Sequence, residues 1–112
     1  MIETNSETSK EFKKLAHIFL NGDAPHARQE WITRAKSGDD YAQYIVGVMF
    51  QGGDGVQQDY KIANKWFKLA AEQENALAMY SLGNNYYAGL GVRKNYTTAF
   101  KWYKLSAELG FS

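Results

Sequence analysis

The stretch Asn75–Gly91, NALAMYSLGNNYYAGLG, is seventeen residues long, carries no charge, and has a partner thirty-six residues upstream in Asp39–Gly55, DDYAQYIVGVMFQGGDG. The correspondence continues through the segment that follows. Between Ala42–Glu72 and Ala78–Glu108, fourteen of thirty-one paired positions are identical, where ordinary residue usage gives about two by chance. The chain therefore contains an internal repeat with a period of thirty-six. The identities include Ala42/Ala78, Tyr44/Tyr80, Gly47/Gly83, Tyr60/Tyr96, Ala63/Ala99 and Trp66/Trp102. Small residues alternate with aromatic ones, which suits two closely packed helices in which an Ala or Gly on one makes room for a ring on the other. Each unit reads as a helical hairpin.

The first copy supplies AQYIVGVMF, GDGVQQD and ANKWFKLAAE, and the second AMYSLGNNYY, GLGVRKN and AFKWYKLSAE. These residues resemble the Sel-one-like repeat, a relative of the tetratricopeptide repeat, whose pattern runs A-x-Y-x-L-G-x-x-Y, then G-x-G-V, a helix start at Asp or Asn, and A-x-x-W-Y/F-x-K-A-A-E. The resemblance spans residues 39–110, with departures at Val46, Asn95 and Ser106. It implies an all-α, right-handed α/α solenoid that binds proteins or peptides, in most members without catalysis, its first helices lining a concave surface.

Helix boundaries follow from local chemistry. Asp39 or Asp40 caps a helix over about 40–51, Asp59 one over 60–73, Asn75 one over 76–88 and Asn95 one over 96–109, because a short polar side chain satisfies free amides at a helix start. Gly53 and Gly55 suit the positive φ of the reversal between helices. With no strand before it and no Lys-Ser/Thr within it, this glycine-rich loop is a turn and not a phosphate cradle. Upstream, residues 1–8 form a polar, disordered tail, and Thr8 and Glu11 make a capping box for a helix over 9–21. A further helix has Pro25 in its first turn, is marked by Ala27, Trp31, Ile32 and Ala35, and ends at Gly38. The expected organisation is one domain over 9–112: a shortened capping hairpin at 9–38 and repeats at 39–75 and 76–112. His17 falls where later units carry Gly47 and Gly83, a substitution tolerable where nothing precedes the hairpin.

The composition narrows the function. Thirteen basic and twelve acidic side chains give a net charge of +1, so bulk charge calls for neither nucleic acid nor an anionic membrane. There is no cysteine, hence no disulfide. The uncharged run is too short to span a membrane and contains Ser81, Asn84 and Asn85. The N-terminus lacks the basic-then-apolar pattern of a signal peptide, and the expected compartment is the cytoplasm of a bacterium. His17 on a helix and His26 in a loop are the only histidines. No catalytic motif accompanies them, so no enzyme activity, cofactor or metal is expected. Trp66 and Trp102 recur at one repeat position and read as packing aromatics.

Charge is segregated between helices. The first helix of each unit is neutral from Tyr41 and from Asn75 onward, whereas the second carries Lys61, Lys65 and Lys68, or Lys101 and Lys104. With the core stripe at Ala42, Val46, Met49 and Phe50, the opposite side of that helix holds Tyr41, Ile45 and Val48, and the next copy holds Leu77, Ser81 and Asn84. These positions differ between copies while packing positions agree. A neutral groove of Tyr41, Ile45, Val48, Asn84, Asn85 and Tyr87 is the expected partner-binding surface. A second candidate lies at the C-terminal end, where Tyr96, Phe100, Tyr103 and Phe111 form an apolar surface without cover, suited to a partner protein, to a second copy in a homodimer, or to the next unit of a longer array of which the chain is a fragment. The function expected is that of an adaptor or a specific inhibitor, such as an immunity protein. A nucleic-acid-associated factor using the lysine-rich outer face is the alternative.

Overall fold

A computed structural model describes residues 24–110 of the chain. The expected tail at 1–8, the helix over 9–21, His17 and Phe111 lie outside the described residues. The described residues form five helices: α1 Ala24–Lys36, α2 Asp40–Gly52, α3 Tyr60–Ala71, α4 Ala76–Ala88 and α5 Tyr96–Glu108. There is no strand among the described residues.

Four of the five starts use one device. Asp39, Asp59, Asn75 and Asn95 each sit in extended backbone and accept a hydrogen bond from the amide three residues on, at 3.1, 3.0, 2.9 and 3.0 Å. Asp39 is thus the cap of α2. The carboxylate of Asp40, the first residue of α2, instead accepts from the Asn75 side-chain amide at 2.9 Å, tying the starts of α2 and α4 together. α3 stops at Ala71, two residues before the expected end, because Glu74 takes φ 64° and the Asn75 amide turns back to the Ala70 carbonyl. The loops after α2 and α4 are copies: Gly53 and Gly89 end the helices at φ 71° and 72°, and the amides of Asp59 and Asn95 return to the carbonyls of Phe50 and Tyr86.

Each helix packs chiefly on its neighbours in the chain, the arrangement of a solenoid. Trp31, Ala35, Ala42, Val46 and Met49 form one core cluster, and Ala63, Phe67, Ala70, Ala71, Ala78, Met79 and Leu82 a second, with Phe50 packed against both. Trp66 packs half-buried on the first cluster and Trp102 on the second. Close approach rests on glycine. A Cβ on Gly47 would meet the Phe67 ring at 2.5 Å, and one on Gly83 the Tyr103 ring at 2.6 Å. Gly91 lies so near the Tyr60 backbone that a Cβ would come within 2.6 Å of its carbonyl carbon.

Candidate functional site: the uncovered face of the last hairpin

On α4, Tyr80, Asn84 and Tyr87 recur at i, i+4 and i+7 and share one side of the helix; on α5, Tyr96, Phe100 and Tyr103 do the same. The hairpin turns both stripes to the same side. Tyr80 and Tyr103 have ring centroids 5.6 Å apart, Tyr103 and Phe100 6.2 Å, Phe100 and Tyr87 6.3 Å, and Tyr87 and Tyr96 4.9 Å. Five rings therefore form one connected set at tilted angles. The Tyr103 hydroxyl donates to Asn84 Oδ1 at 2.6 Å, and Lys94 Nζ lies 5.8 Å from the centre of the Tyr96 ring. Burial first, then the neighbouring Tyr80 and Tyr87, raises the pKa of the Tyr103 hydroxyl above the ordinary tyrosine value.

The set is exposed nonetheless. Phe100 is 57% accessible, Tyr96 50% and Tyr87 49%. The repeat explains why. Tyr80, Tyr87, Tyr96, Phe100 and Tyr103 are the thirty-six-residue copies of Tyr44, Gln51, Tyr60, Asn64 and Phe67, and in the first repeat all five are covered by α4 or the loop after it. Phe67 is fully buried against Ala78, Met79 and Leu82, with Tyr44 packed on the same cluster. Asn64 Nδ2 donates to the Leu90 carbonyl at 2.9 Å. Asn85 Nδ2 donates to Asn64 Oδ1 at 2.6 Å and to Gln51 Oε1 at 3.1 Å, and Gly91 rests on Tyr60.

This arrangement redistributes the residues singled out in the sequence. Asn85 is not a surface residue: it is 2% accessible, and its amide bridges Gln51 and Asn64 inside the molecule. Tyr41 and Ile45 are half-buried against the first cluster, Tyr41 packing edge-on to Trp31 at 5.8 Å, so the α1 side covers much of the expected stripe on α2. Val48 and Asn84 are exposed. Tyr87, expected in the groove, packs its ring against Tyr96 and Phe100. The missed member is Tyr80, whose identity with the half-buried Tyr44 marked it as a packing residue. His26 lies in the first turn of α1 and is exposed, not in a loop. Among the described residues no group of three His, Cys, Asp or Glu side chains could hold a metal ion, and no helix is long and apolar enough to cross a membrane.

The Sel1 repeat family matches residues 40–75 and 76–111, the same two units that the helices define. The chain belongs to the Sel1 repeat family. Repeats of this family are protein-interaction modules in general, and its members are generally non-catalytic helical scaffolds. Among solved structures, a Sel1 repeat protein from Oxalobacter formigenes superimposes with a TM-score of 0.78 at 32% identity over 86% of this chain. A protective antigen present in uropathogenic Escherichia coli strains, displaying an SLR fold, superimposes with a TM-score of 0.78 at 36% identity, also over 86%. The chain spans 40% and 22% of the length of these two structures. No curated protein matches it significantly.

Proposed function

We propose that this Sel1 repeat chain is a non-catalytic module that holds a partner protein against the ring-bearing face of α4 and α5, acting as an adaptor or as a specific inhibitor of the immunity-protein kind. One observation supports the reading: Tyr80, Tyr87, Tyr96 and Phe100 are exposed, whereas Tyr44, Gln51, Tyr60 and Asn64, the same positions of the first repeat, are half-buried or buried. Large aromatic side chains carry much of the binding energy of protein interfaces. Val48 and Asn84, exposed members of the expected groove, offer a smaller neutral surface for a peptide. A bacterial origin is in keeping with its structural relatives, both from bacteria, and action in the cytoplasm is part of the proposal.

The competing reading places nucleic acid on Lys61, Lys65 and Lys68, none of which has a carboxylate partner among the described residues. Pull-down with the full chain and with two variants separates the two. The expected outcome is capture of a partner that Phe100→Asp abolishes and that Lys61→Glu/Lys65→Glu leaves largely intact. Loss on the lysine variant alone, together with salt-sensitive binding to mixed RNA and DNA, would favour the nucleic-acid reading.

A further inference from the structure

A cleft lies at the junction of α1 with the α2 side and another at the junction of α3 with α4, and their linings differ in charge. The first, about 240 Å³, has Pro25, Gln29 and Ile32 on one wall and Met49 and Val56 on the other. The cation that lines it, Arg28, is paired with Asp54 at 3.5 Å. The second, about 280 Å³, has Lys61, Lys65 and Lys68 on one wall and Leu82, Tyr86 and Val92 on the other. Pro25, Gln29 and Ile32 stand thirty-six residues before Lys61, Lys65 and Lys68. The cleft is therefore a property of the repeat, and the three lysines are not.

None of the three ammonium groups pairs with a carboxylate among the described residues, and no described Asp or Glu lines the cleft. The Asn64 side chain beside them is already bonded to the Leu90 carbonyl and the Asn85 amide. One wall is thus cationic and the facing wall apolar. At i, i+4 and i+7 the lysines share one side of α3 and rise about 10.5 Å along it. An extended peptide advances about 3.3 Å per residue and turns successive side chains to opposite sides. Laid along the cleft, a segment that alternates acidic and apolar residues presents its carboxylates to the lysines and its apolar side chains to Leu82, Tyr86 and Val92. Single-stranded nucleic acid stacks successive bases on aromatic side chains, and here the facing wall offers the one ring of Tyr86 beside two aliphatic residues.

We infer that the α3–α4 cleft binds an extended acidic segment of a partner protein, in which carboxylates alternate with apolar side chains. It is a second site, separate from the ring face of α4 and α5, and it rests on the reading of the chain as a protein-binding module.

The test selects phage-displayed random peptides on the full chain and titrates the enriched ones into the isotope-labelled chain by NMR. The enriched peptides are expected to alternate Asp or Glu with apolar residues and to shift the amides of Leu82, Tyr86 and Val92. Lys61→Gln/Lys65→Gln/Lys68→Gln should weaken them about tenfold or more, and the charge reversal Lys65→Glu should weaken them as well. Both variants alter exposed side chains, so their melting temperatures should match the wild type. Absence of enrichment, enriched peptides without acidic residues, or affinities that neither variant changes would overturn the inference. So would an oligothymidylate that shifts the same amides and binds more tightly than the peptides, because the occupant is then nucleic acid. Shifts confined to Tyr87, Phe100 and their neighbours would remove the cleft and leave the ring-face reading standing. Failure of the Phe100-dependent capture, with the cleft peptides still bound, would remove the ring face alone.

Discussion

At the scale of single residues, the two repeat glycines are not equivalent. The ring beside Gly47 belongs to fully buried Phe67, which has nowhere to move, whereas the ring beside Gly83 belongs to half-exposed Tyr103. Gly47→Ala should therefore destabilise by about 1–3 kcal/mol, and Gly83→Ala by less. Gly83→Leu should reach or exceed that range, because the Ala99 carbonyl also stands 3.2 Å from the added Cβ. Urea melts of the three variants check the order, and equal effects would mean that Phe67 yields as easily as Tyr103. Asn85→Ala removes the donor from both Gln51 and buried Asn64, an expected loss of about 1–3 kcal/mol measured the same way. Tyr44 and Tyr103 supply a pH dependence. Burial, and then Tyr41 for Tyr44 or Tyr80 and Tyr87 for Tyr103, raises both hydroxyls above the ordinary value of 10.0. The unfolded chain then loses these protons first, so their contribution to stability is complete below about pH 10 and is lost as pH rises through the folded values. The urea midpoint should fall between pH 9 and pH 11, and Tyr44→Phe should reduce the fall. No difference between wild type and Tyr44→Phe would show that Tyr44 titrates freely in the folded chain.

At the scale of elements, the four Asx caps make the helix starts independent of the rest of the chain, with one exception. The hydrogen bond of the Asn95 side chain stays within its own first turn, accepted from the amide of Thr98. Asn95→Ala should therefore cost about 1 kcal/mol, the ordinary value for a lost cap. Asn75 caps α4 and also donates to Asp40 at the start of α2, so Asn75→Ala should cost more than Asn95→Ala in thermal melts. An Asp40→Ala background that brings the two losses level would attribute the excess to the link between helices. Caps, glycine turns and the repeat period were legible beforehand because each is a matter of residues within a few positions of one another. The exposure of Tyr41, Ile45 and Asn85 was not, since it depends on what a different helix brings against them.

At the scale of the whole molecule, the solenoid places a neutral, ring-rich face at the last hairpin and cationic helix surfaces beside it. Phe100 is exposed but packs on Tyr87 and Tyr103, so Phe100→Asp should destabilise by about 1–2 kcal/mol and leave the chain folded, so that loss of partner binding reflects the surface and not unfolding. Circular dichroism melts of the variant check this. A large drop in melting temperature would mean that the ring set stabilises the hairpin and that its loss cannot be read as loss of an interface. Charge also distinguishes regions along the chain: from Asp39 to Asp59 there are four acids and no base, and from Tyr60 to Lys104 seven bases and two acids. Partner association through the ring face should accordingly weaken only modestly between low and physiological salt, in contrast to phosphate binding on the lysines.

By itself the sequence determined the all-α class, the two thirty-six-residue hairpins, their caps and reversals, and the need for glycine at positions 47 and 83. Periodicity, capping and turn formation are short-range, and a repeat displays each of them twice. Tertiary structure alone decided which copies of a repeated position are covered. It hid Asn85 between Gln51 and Asn64, half-covered Tyr41 and Ile45 with the α1 side, and joined Tyr87 and Tyr80 to Tyr96, Phe100 and Tyr103. Burial is conferred by a different helix of the chain, as Asn85 is buried by residues 21 and 34 positions away, so one position of the repeat differs in exposure between copies: Asn64 is buried and Phe100 exposed.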